Sequence, residues 1–439
     1  METVLTGAEV RQKFIDYYKS LGHAEVENVS LVPVNDPTTL FTGSGMQALI
    51  PYLTGQKHPL GNRLVNVQRC FRAEDLDEIG NSRHHSFFEM LGCWSLGNYF
   101  KAEQIPWTFS FFVDELGIDP QKLYVSVFAG DGKLPRDNEA AEIWKKTFAQ
   151  KGITADDTDD ISKVGQDSYR IFYYPKKKNW WERSGAPIGD PAGPDTEIFY
   201  FTGIEHDKKF GENCHINCDC GRYIEIGNDV FMQYKKVSAN DYEPLSQKNV
   251  DCGWGLERIV RVVQGKKSNY ETDLFYPIIQ KIESLSTKKY GDGGVTDWVY
   301  KISADHLRAS VFLIADGVTP SNKMQGYVLR RLLRRVIFQS RKLEASKNFL
   351  AEVAKVIVDE YEDYYRHLQG ARDKIIAEIS AEEEKFNTTL EKGLKEMEKI
   401  YEKSSQKLNG DQLEMLYQTY GVPKELVAEI CKERGWILI

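Results

Sequence analysis

Two separated segments constrain this chain more than any other feature. Residues 63–74, followed by residues 84–92, have the pattern of a strand, a polar loop and a return strand. Residues 251–258, about 180 positions later, have the pattern of a glycine-containing turn that enters a helix. An arginine on a strand and an arginine that opens a helix can hold one phosphorylated ligand from two sides. Together the segments predict nucleotide binding.

Arg72, Phe88 and Arg258 are the side chains in these segments best suited to a nucleotide. Arg72 falls on a polar strand face, and Phe88 can stack on a purine with Arg258 on the other face. Each residue alone has a simpler interpretation, namely an edge salt bridge, a core phenylalanine or a turn before a capped helix. No Gly-x4-Gly-Lys-Ser/Thr sequence occurs, so a Walker loop is excluded.

The composition is that of a globular protein with two or three domains: 439 residues, 41% hydrophobic and 28% charged. The net charge of −8 means that any nucleic-acid contact needs a local basic face. Seven cysteines without a regular framework favour a reducing, cytoplasmic compartment. We see no signal peptide and no apolar run near the ~20 residues needed to span a membrane.

The pattern of the chain changes near residue 260. Residues 31–234 alternate short β-rich runs with loops that contain glycine and proline, whereas helical periodicity dominates after Arg258. An apolar helical seam runs through residues 375–408. We therefore predict an α+β protein, with a mixed domain at 1–260 and a mostly helical domain at 261–439.

These motifs resemble those of the class II aminoacyl-tRNA synthetases. Residues 71–74, Phe-Arg-Ala-Glu, resemble motif 2 of that class, and residues 253–258 resemble motif 3. Further segments are similar to the alanyl-tRNA synthetase family in particular, with similarity to about residue 435: 34–42, 84–92, 222–233, 304–308, 314–322 and 326–331. The resemblance implies an antiparallel-sheet catalytic domain followed by a helical tRNA-recognition domain.

The resemblance also implies which residues bind ATP. Arg72 would hold the α-phosphate, Glu74 would contact the nucleotide, and Phe88 and Arg258 would enclose adenine. The implied ATP-binding set is Arg72, Glu74, Phe88, Gly255 and Arg258. Mg²⁺ is expected to arrive with ATP rather than in a protein cage of its own.

The implied amino-acid site needs a polar partner at each end of alanine and a tight apolar wall. Asp251 would bind the ammonium group and Asn228 the carboxylate, while Trp181 and Val230 would bound the methyl pocket and Gly253 would leave room beside it. Taken alone, Asp251 is equally well explained as a helix or turn cap. The implied catalytic residues are Arg72, Asp251 and Arg258, because in-line attack depends on positioning and charge neutralisation.

The implied reaction is ligation of L-alanine to tRNA-Ala through an alanyl-adenylate. One alternative is a paralogue of the same fold that activates an amino acid for a carrier or amine instead of tRNA. Another is a non-catalytic tRNA-binding paralogue. A retained basic helix and Asn322 argue against the first alternative, and intact Arg72, Asp251 and Arg258 argue against the second.

A basic helix predicted at residues 326–342 is the candidate tRNA contact. Its apolar face is opposed by six basic residues for which the sequence indicates no acidic partner: Arg330, Arg331, Arg334, Arg335, Arg341 and Lys342. We predict phosphate contacts, with Arg330, Arg331 and Arg334 in the tRNA-binding set. The simpler interpretation is a solvated amphipathic helix packed on its own domain.

The cysteine-rich residues 214–220 are a candidate metal site. Cys214, His215, Cys218 and Cys220 offer four ligands suited to Zn²⁺. However, the Cys218-x-Cys220 gap is tighter than the usual two to four intervening residues, and the alternative is a set of reduced loop thiols.

The family normally continues into an editing domain, with a zinc-binding His-x3-His sequence, and then into a dimerising domain. No His-x3-His sequence occurs in these 439 residues. We therefore expect the chain to lack both domains, to be a monomer, and to catalyse no hydrolysis of mischarged Ser- or Gly-tRNA.

Gln418 generates a prediction about tRNA choice. The family reads an acceptor-stem G·U pair with an Asn and an Asp; Asn322 matches the first, but Gln418 replaces the second and lacks its charge. We expect transcripts with G·U and with G·C at this position to be charged at similar rates. Loss of charging with the G·C transcript alone would contradict this expectation.

Overall fold

A computed structural model describes residues 4–34, 39–81, 83–166, 168–183, 185, 187–404 and 406–439. Part of the motif at 34–42 therefore lies outside the described residues. The chain divides into two compact units. The sheet unit comprises Met1–Val29, Thr42–Cys70 and Phe88–Thr272, and the helical unit comprises Ser30–Phe41, Phe71–Phe87 and Asp273–Ile439.

The sheet unit is built on one sheet of ten strands within the described residues. They are β1 (Ala24–Glu25), β2 (Arg63–Phe71), β3 (Phe87–Leu96), β4 (Leu123–Phe128), β5 (Asp156–Thr158), β6 (Tyr169–Tyr174), β7 (Trp180–Glu182), β8 (Pro191–Phe201), β9 (Tyr223–Lys236) and β10 (Tyr242–Gly255). The order is β1-β2-β3-β10-β9-β8-β4-β6-β5, and β7 pairs with β8. Strands β3, β10, β9, β8 and β4 pair antiparallel, so the predicted antiparallel sheet is confirmed. Parallel pairs occur nearer the two edges.

Helices flank this sheet: α1 (Gly7–Ser20), α2 (Ile50–Leu53), α3 (Lys101–Ser110), α4 (Asn138–Ala149), α5 (Lys176–Asn179) and α6 (Leu256–Val263). The sequence of residues 8–21 predicts an amphipathic helix capped by Thr6, and α1 does begin with Thr6 as its N-cap. The Thr6 hydroxyl accepts from the backbone N–H of Glu9 at 3.2 Å, and the Glu9 carboxylate accepts from the Thr6 N–H at 2.7 Å. This reciprocal capping satisfies two N–H groups that the helix leaves free.

Two strands of the sheet also carry a cysteine pair. Cys93 on β3 lies opposite Cys252 on β10 with a Cα–Cα distance of 5.1 Å, and their sulfur atoms are in contact as a disulfide. The other five cysteines form no disulfide within the described residues. The sequence spacing predicts no such pairing, because it depends on the register between strands that are distant in the chain.

The helical unit contains α7 (Tyr276–Ser284), α8 (Gly294–Ala315), α9 (Met324–Ser340), α10 (Phe349–Tyr361), α11 (His367–Lys403), α12 (Gly410–Tyr420) and α13 (Lys424–Arg434). Two short strands, β11 (Lys407–Leu408) and β12 (Ile437–Leu438), pair near the end of the chain. The predicted seam lies on α11, where the buried apolar residues are Ile375, Ile379, Phe386, Leu390 and Met397. No helix in the described ranges is both long and apolar enough to cross a membrane.

The helical unit differs from the predicted domain at 261–439. Its main segment begins at Asp273, and the unit also includes residues 30–41 and 71–87 from the first half of the chain. The sequence pattern changes at residue 260, but α6 and the turn after it still pack in the sheet unit. Local periodicity identifies a helix and does not indicate which core the helix packs against.

Buried hydrogen bonds explain why residues 71–87 belong to the helical unit. The Ser86 backbone N–H donates to Asp305 Oδ1 at 2.9 Å, and Arg308 Nη2 donates to the Phe87 carbonyl oxygen at 2.5 Å. The Phe87 ring stacks on Phe312 with centroids 4.2 Å apart. These partners are more than 200 residues away in sequence, so no local pattern in 71–87 reveals them.

The basic face of α9 is paired with acidic side chains of the same unit, which makes the expectation of six unpartnered basic residues wrong. Arg334 donates to Glu382 at 2.5 Å, and these side chains are only 4% and 5% exposed. The remaining pairs are Arg330–Glu382, Arg331–Asp77, Arg335–Glu429, Arg341–Glu391 and Lys342–Glu433. The acidic partners come from other elements, which the helical periodicity of α9 could not show.

The buried pair predicts a stability difference between two arginines of this region. Arg334→Ala should lower the free energy of unfolding by about 3 kcal/mol, because it leaves Glu382 buried with a weakened partner set. Arg341→Ala is the matched control, since Arg341 and Glu391 are about half exposed and such pairs are worth roughly 1 kcal/mol or less. Urea unfolding followed by circular dichroism measures both changes. Equal losses would contradict the structural role of Arg334.

Candidate active site

Antiparallel pairing brings the residues expected to bind the amino acid onto one face of the sheet. Val230 on β9 lies directly opposite Asp251 on β10 and Asp195 on β8. Asn228 precedes Val230 by two residues, and Gly253 follows Asp251 by two residues. Because side chains alternate along a strand, all five positions share one face.

An apolar wall borders this face. Val230 is buried in a cluster with Trp94, Met46 and other apolar side chains, and Trp181 packs against the cluster from β7. Trp181 and Val230 therefore belong to the same apolar cluster. A Cβ at Gly92 would lie 2.3 Å from the Trp94 ring, so this position must be glycine while Trp94 keeps its place. Sequence reasoning did not single out Trp94.

Asp251 is a buried carboxyl group suited to binding a cation. It is 7% exposed, and Trp94 Nε1 donates to its Oδ1 at 2.6 Å. Burial raises the pKa of Asp251 to about 7; the hydrogen bond from Trp94 opposes the rise, and the nearby charge of Asp229 adds to it. A buried carboxyl with a raised pKa and one close donor is typical of a ligand site. An incoming cation would stabilise its ionised form.

Asp195 is a second buried carboxyl beside Asn228, and sequence reasoning missed it. Asn228 Nδ2 donates to Asp195 Oδ2 at 3.4 Å, and Asn179 Nδ2 donates to Oδ1 at 2.9 Å. Burial raises the pKa of Asp195 to about 7, against the lowering effect of both amides. Asn228 Oδ1 is buried and has no hydrogen-bond partner in the described part of the chain. The sequence feature that could have identified Asp195 is the presence of an acidic residue within the β-rich run at 191–201.

The start of α6 positions Arg258. Its Nη1 donates to Glu225 Oε2 at 2.8 Å and to the Glu225 carbonyl oxygen at 3.3 Å, and both side chains remain partly exposed. Gly255 is the N-cap residue of α6, and a Cβ there would meet Arg258 only at ordinary contact distance. Phe88 lies half-buried at the second position of β3. Glu225 therefore aligns the guanidinium group from the neighbouring strand.

A buried ionic network fixes the first turn of α6. Arg11 donates from Nε and Nη2 to both carboxylate oxygens of Glu89, at 2.7 and 2.6 Å. The Glu89 backbone N–H donates to Glu257 Oε1 at 3.2 Å. These residues link α1, β3 and the residue before Arg258. Sequence reasoning did not predict the network, although Glu257 stands within the motif at 253–258.

Arg72 and Glu74 lie in the helical unit. Arg72 directly follows β2, which ends at Phe71. The observed strand is therefore one residue shorter than the predicted strand, which included Arg72. The Arg72 backbone N–H donates to the Ser86 carbonyl oxygen at 2.9 Å. Glu74 opens a 3-10 turn at Glu74–Glu78. The remaining residues of the expected ATP set, including Phe88 and Arg258, belong to the sheet unit.

The residues expected to contact tRNA fall into two groups. Asn322 is exposed and accepts a hydrogen bond from Arg330, and Gln418 is exposed and donates to Glu414 at 2.6 Å. Helices α9 and α12 touch through Tyr327 and Tyr417, whose ring centroids are 5.8 Å apart. Arg331 and Arg330 keep some exposure, whereas Arg334 is buried against Glu382 and cannot reach a phosphate.

The cysteine loop holds a different histidine from the one expected. The ligand atoms of His206, Cys214, Cys218 and Cys220 all lie within 4.8 Å of one another. His215 is outside this group, because its Nδ1 lies 3.1 Å from the Tyr174 hydroxyl. The expected set that included His215 is therefore wrong in this member. Adjacency in sequence favoured His215, but the fold of the loop brings His206 back to the cysteines.

Comparison with known proteins identifies the family. Residues 9–438 match the family described as tRNA synthetases class II (A). Proteins named Alanine--tRNA ligase are similar to the chain: 45% identity for that of Borrelia hermsii, over 98% of this chain and 69% of that protein. The corresponding protein of Treponema pallidum is 40% identical over 99% and 70%, and that of Enterococcus faecalis is 39% identical over 98% and 47%.

Among solved structures, apo histidyl-tRNA synthetase of S. aureus is 12% identical to the chain, with a TM-score of 0.33. The match covers 62% of this chain and 71% of that one, and it is too weak to support the assignment. The family match extends over almost all residues, including the motifs that carry Arg72 and Arg258. The same span contains the buried Asp251 and its neighbours on β8 and β9. The chain therefore belongs to the class II tRNA synthetases.

Proposed function

We propose that the chain activates L-alanine with ATP and transfers the alanyl group to the 3′ end of tRNA-Ala. The observation that carries the proposal is the 45% identity to a protein named Alanine--tRNA ligase, over 98% of this chain. The buried carboxyl of Asp251 opposite Val230 supports it independently, because the pair suits a small amino acid. We also propose that the chain is a cytoplasmic monomer; light scattering of the purified chain would test the monomeric state.

Alanine recognition follows from the polarity of the sheet face. The ionised Asp251 carboxylate binds the ammonium group of the substrate, and the Trp94 N–H keeps that carboxylate oriented. Asn228 has two amide hydrogens, of which one points to Asp195, so the other is suited to the substrate carboxylate. Val230 and Trp181 limit the space beside the methyl group, and Gly253 adds no side chain there.

The first reaction step joins alanine to AMP. A carboxylate oxygen of alanine attacks the α-phosphorus of ATP, the bond to the β-phosphate oxygen breaks, and pyrophosphate leaves. Arg72 neutralises charge on the α-phosphate, and Mg²⁺ enters with ATP as part of the substrate. Arg258, aligned by Glu225, covers adenine opposite Phe88, with Gly255 and Glu74 completing the nucleotide contacts.

The second step moves the alanyl group to tRNA. A ribose hydroxyl of the terminal adenosine attacks the carbonyl carbon of the adenylate, and AMP leaves with the bonding electrons. Asn322 and Gln418 are the proposed acceptor-stem contacts, with Arg330 and Arg331 near the phosphates. Since α9 is largely charge-paired, these contacts rely on a few exposed groups rather than on a basic face.

Alanine-dependent ATP–pyrophosphate exchange tests the first step. We expect exchange with alanine to exceed exchange with glycine or serine, because only alanine fills the Val230 pocket without a polar atom. Asp251→Asn should raise the KM for alanine by roughly 10- to 100-fold, the value of a charged hydrogen bond. Asp16→Asn, an exposed change in α1, is the control and should have no effect. Exchange without tRNA charging would instead favour activation for a non-tRNA acceptor.

The raised pKa of Asp251 predicts a pH dependence. Alanine binds the ionised form, so the KM for alanine should fall as pH rises through about 7. Stability has the opposite sign: since the folded-state pKa is above the usual 3.8, the stabilising contribution of neutral Asp251 is present at low pH and is lost as pH rises through about 7. Asp251→Asn should flatten the KM profile, and it should reduce but not abolish the loss of stability, because buried Asp195 also has a pKa of about 7. An unchanged KM profile in this variant would assign the titration to another group.

A further inference from the structure

The loop between β8 and β9 contains a ligand cluster that the proposed reaction does not use. Residues 202–222 contain one 3-10 turn, at Lys208–Phe210, and otherwise no regular structure. Residues 207–213 are all exposed, whereas Ile216 is buried in an apolar cluster with residues of the sheet unit, and Cys218 is also buried. Loops longer than about 15 residues with little secondary structure of their own are uncommon in compact domains. An additional interaction is therefore expected to order this loop.

From its donor atoms we infer that this loop binds one structural Zn²⁺ through His206, Cys214, Cys218 and Cys220. All four ligand atoms lie within 4.8 Å of one another. Cys214 Sγ and Cys220 Sγ are 3.7 Å apart, and Cys218 Sγ is 3.9 Å from His206 Nδ1. A tetrahedral zinc ion with Zn–S bonds of about 2.3 Å separates its sulfur ligands by about 3.8 Å. The cluster is therefore already close to the size that zinc requires.

The histidine is oriented as a metal ligand. His206 Nε2 lies 2.7 Å from the Gly211 carbonyl oxygen, so Nε2 carries the proton and donates. Nδ1 then has a free lone pair, and it is the atom that faces Cys218. Such a hydrogen bond to the second ring nitrogen is the usual support of a zinc-bound histidine.

The narrow Cys218-x-Cys220 gap does not prevent ligation. The Cys218 N–H donates to the His215 carbonyl oxygen at 3.0 Å, which turns the chain between Cys214 and Cys218. Gly221 follows Cys220 with a φ of +84°, a conformation that glycine adopts without strain. The first turn returns the chain toward Cys214, where Cys220 lies within reach, and Gly221 allows a sharp change of direction directly after Cys220.

A thiolate-rich set selects the metal and its role. Three sulfurs and one imidazole suit zinc rather than Mg²⁺ or Ca²⁺, which prefer oxygen ligands. Four protein ligands leave no open position, so the ion would be structural rather than catalytic. It would close the loop directly before β9, the strand that carries Glu225, Asn228 and Val230. This inference does not depend on which amino acid the protein activates.

Metal analysis of the full chain, purified without chelator, tests the inference. We expect about one zinc per chain and, after exchange with Co²⁺, the thiolate-to-cobalt charge transfer and visible bands of a tetrahedral site. Chelation should lower the Tm of the wild-type protein. Zinc content near zero with no cobalt spectrum, iron in place of zinc, or a Cys214–Cys220 disulfide under reducing purification would each overturn the site.

Two matched pairs of variants assign the ligands. The His206→Ala variant should lose most of the zinc, whereas the His215→Ala variant should retain it, although both residues lie in the same loop. Cys218→Ser should lose zinc, whereas Cys431→Ser, at a buried free cysteine of the helical unit, should keep it. If the ligand variants fold poorly, cobalt titration of chelated wild-type protein still decides whether the site exists. Equal zinc loss in both histidine variants would overturn the assignment of His206.

Discussion

The antiparallel register of β8, β9 and β10 is the constraint on which the site depends. It sets Val230 directly between Asp251 and Asp195, and alternation then places Asn228 and Gly253 on the same face. A slip of one residue in either ladder would turn these side chains to the opposite face of the sheet. There the environment is already occupied, since Asp229 accepts hydrogen bonds from Thr108, Trp254 and Gln104. Asp229 and Asp251 are thus two nearby carboxyls with different surroundings.

A second constraint acts on the motif that carries Arg72. Asp305 and Arg308 on α8 are buried, and their hydrogen bonds to Ser86 and Phe87 hold residues 71–87 within the helical unit. Burial disfavours the ionised form of Asp305, but hydrogen bonds with His306 and His85 hold its pKa well below its usual range. The motif at 304–308 therefore anchors residues 71–87, the segment that contains Arg72.

The sequence pattern identified groups of polar residues that lie together, but it often failed to identify the residues with which they interact. The basic positions of α9 follow directly from helical spacing, yet Glu382, Glu429 and other acidic residues neutralise them. The cysteine cluster was predicted, yet His206 rather than His215 completes it. In both cases the missing information is a contact between distant residues. Spacing along one element determines which side chains share a face, but the opposing element decides what that face meets.

The residue pattern was sufficient to predict the family, the antiparallel sheet, the helical second half, the Thr6 cap and the α11 seam, because these depend on local periodicity or on motifs with characteristic residues. The contacts of the folded chain were needed to show that residues 71–87 pack with α8, that Trp94 orients Asp251, that Asp195 lies beside Asn228, and that Arg334 is buried. Each of these depends on pairing and burial across long sequence separations. A hydrogen bond or a pKa shift arises from the three-dimensional surroundings of a group, and the order of residues specifies those surroundings only after the chain has folded.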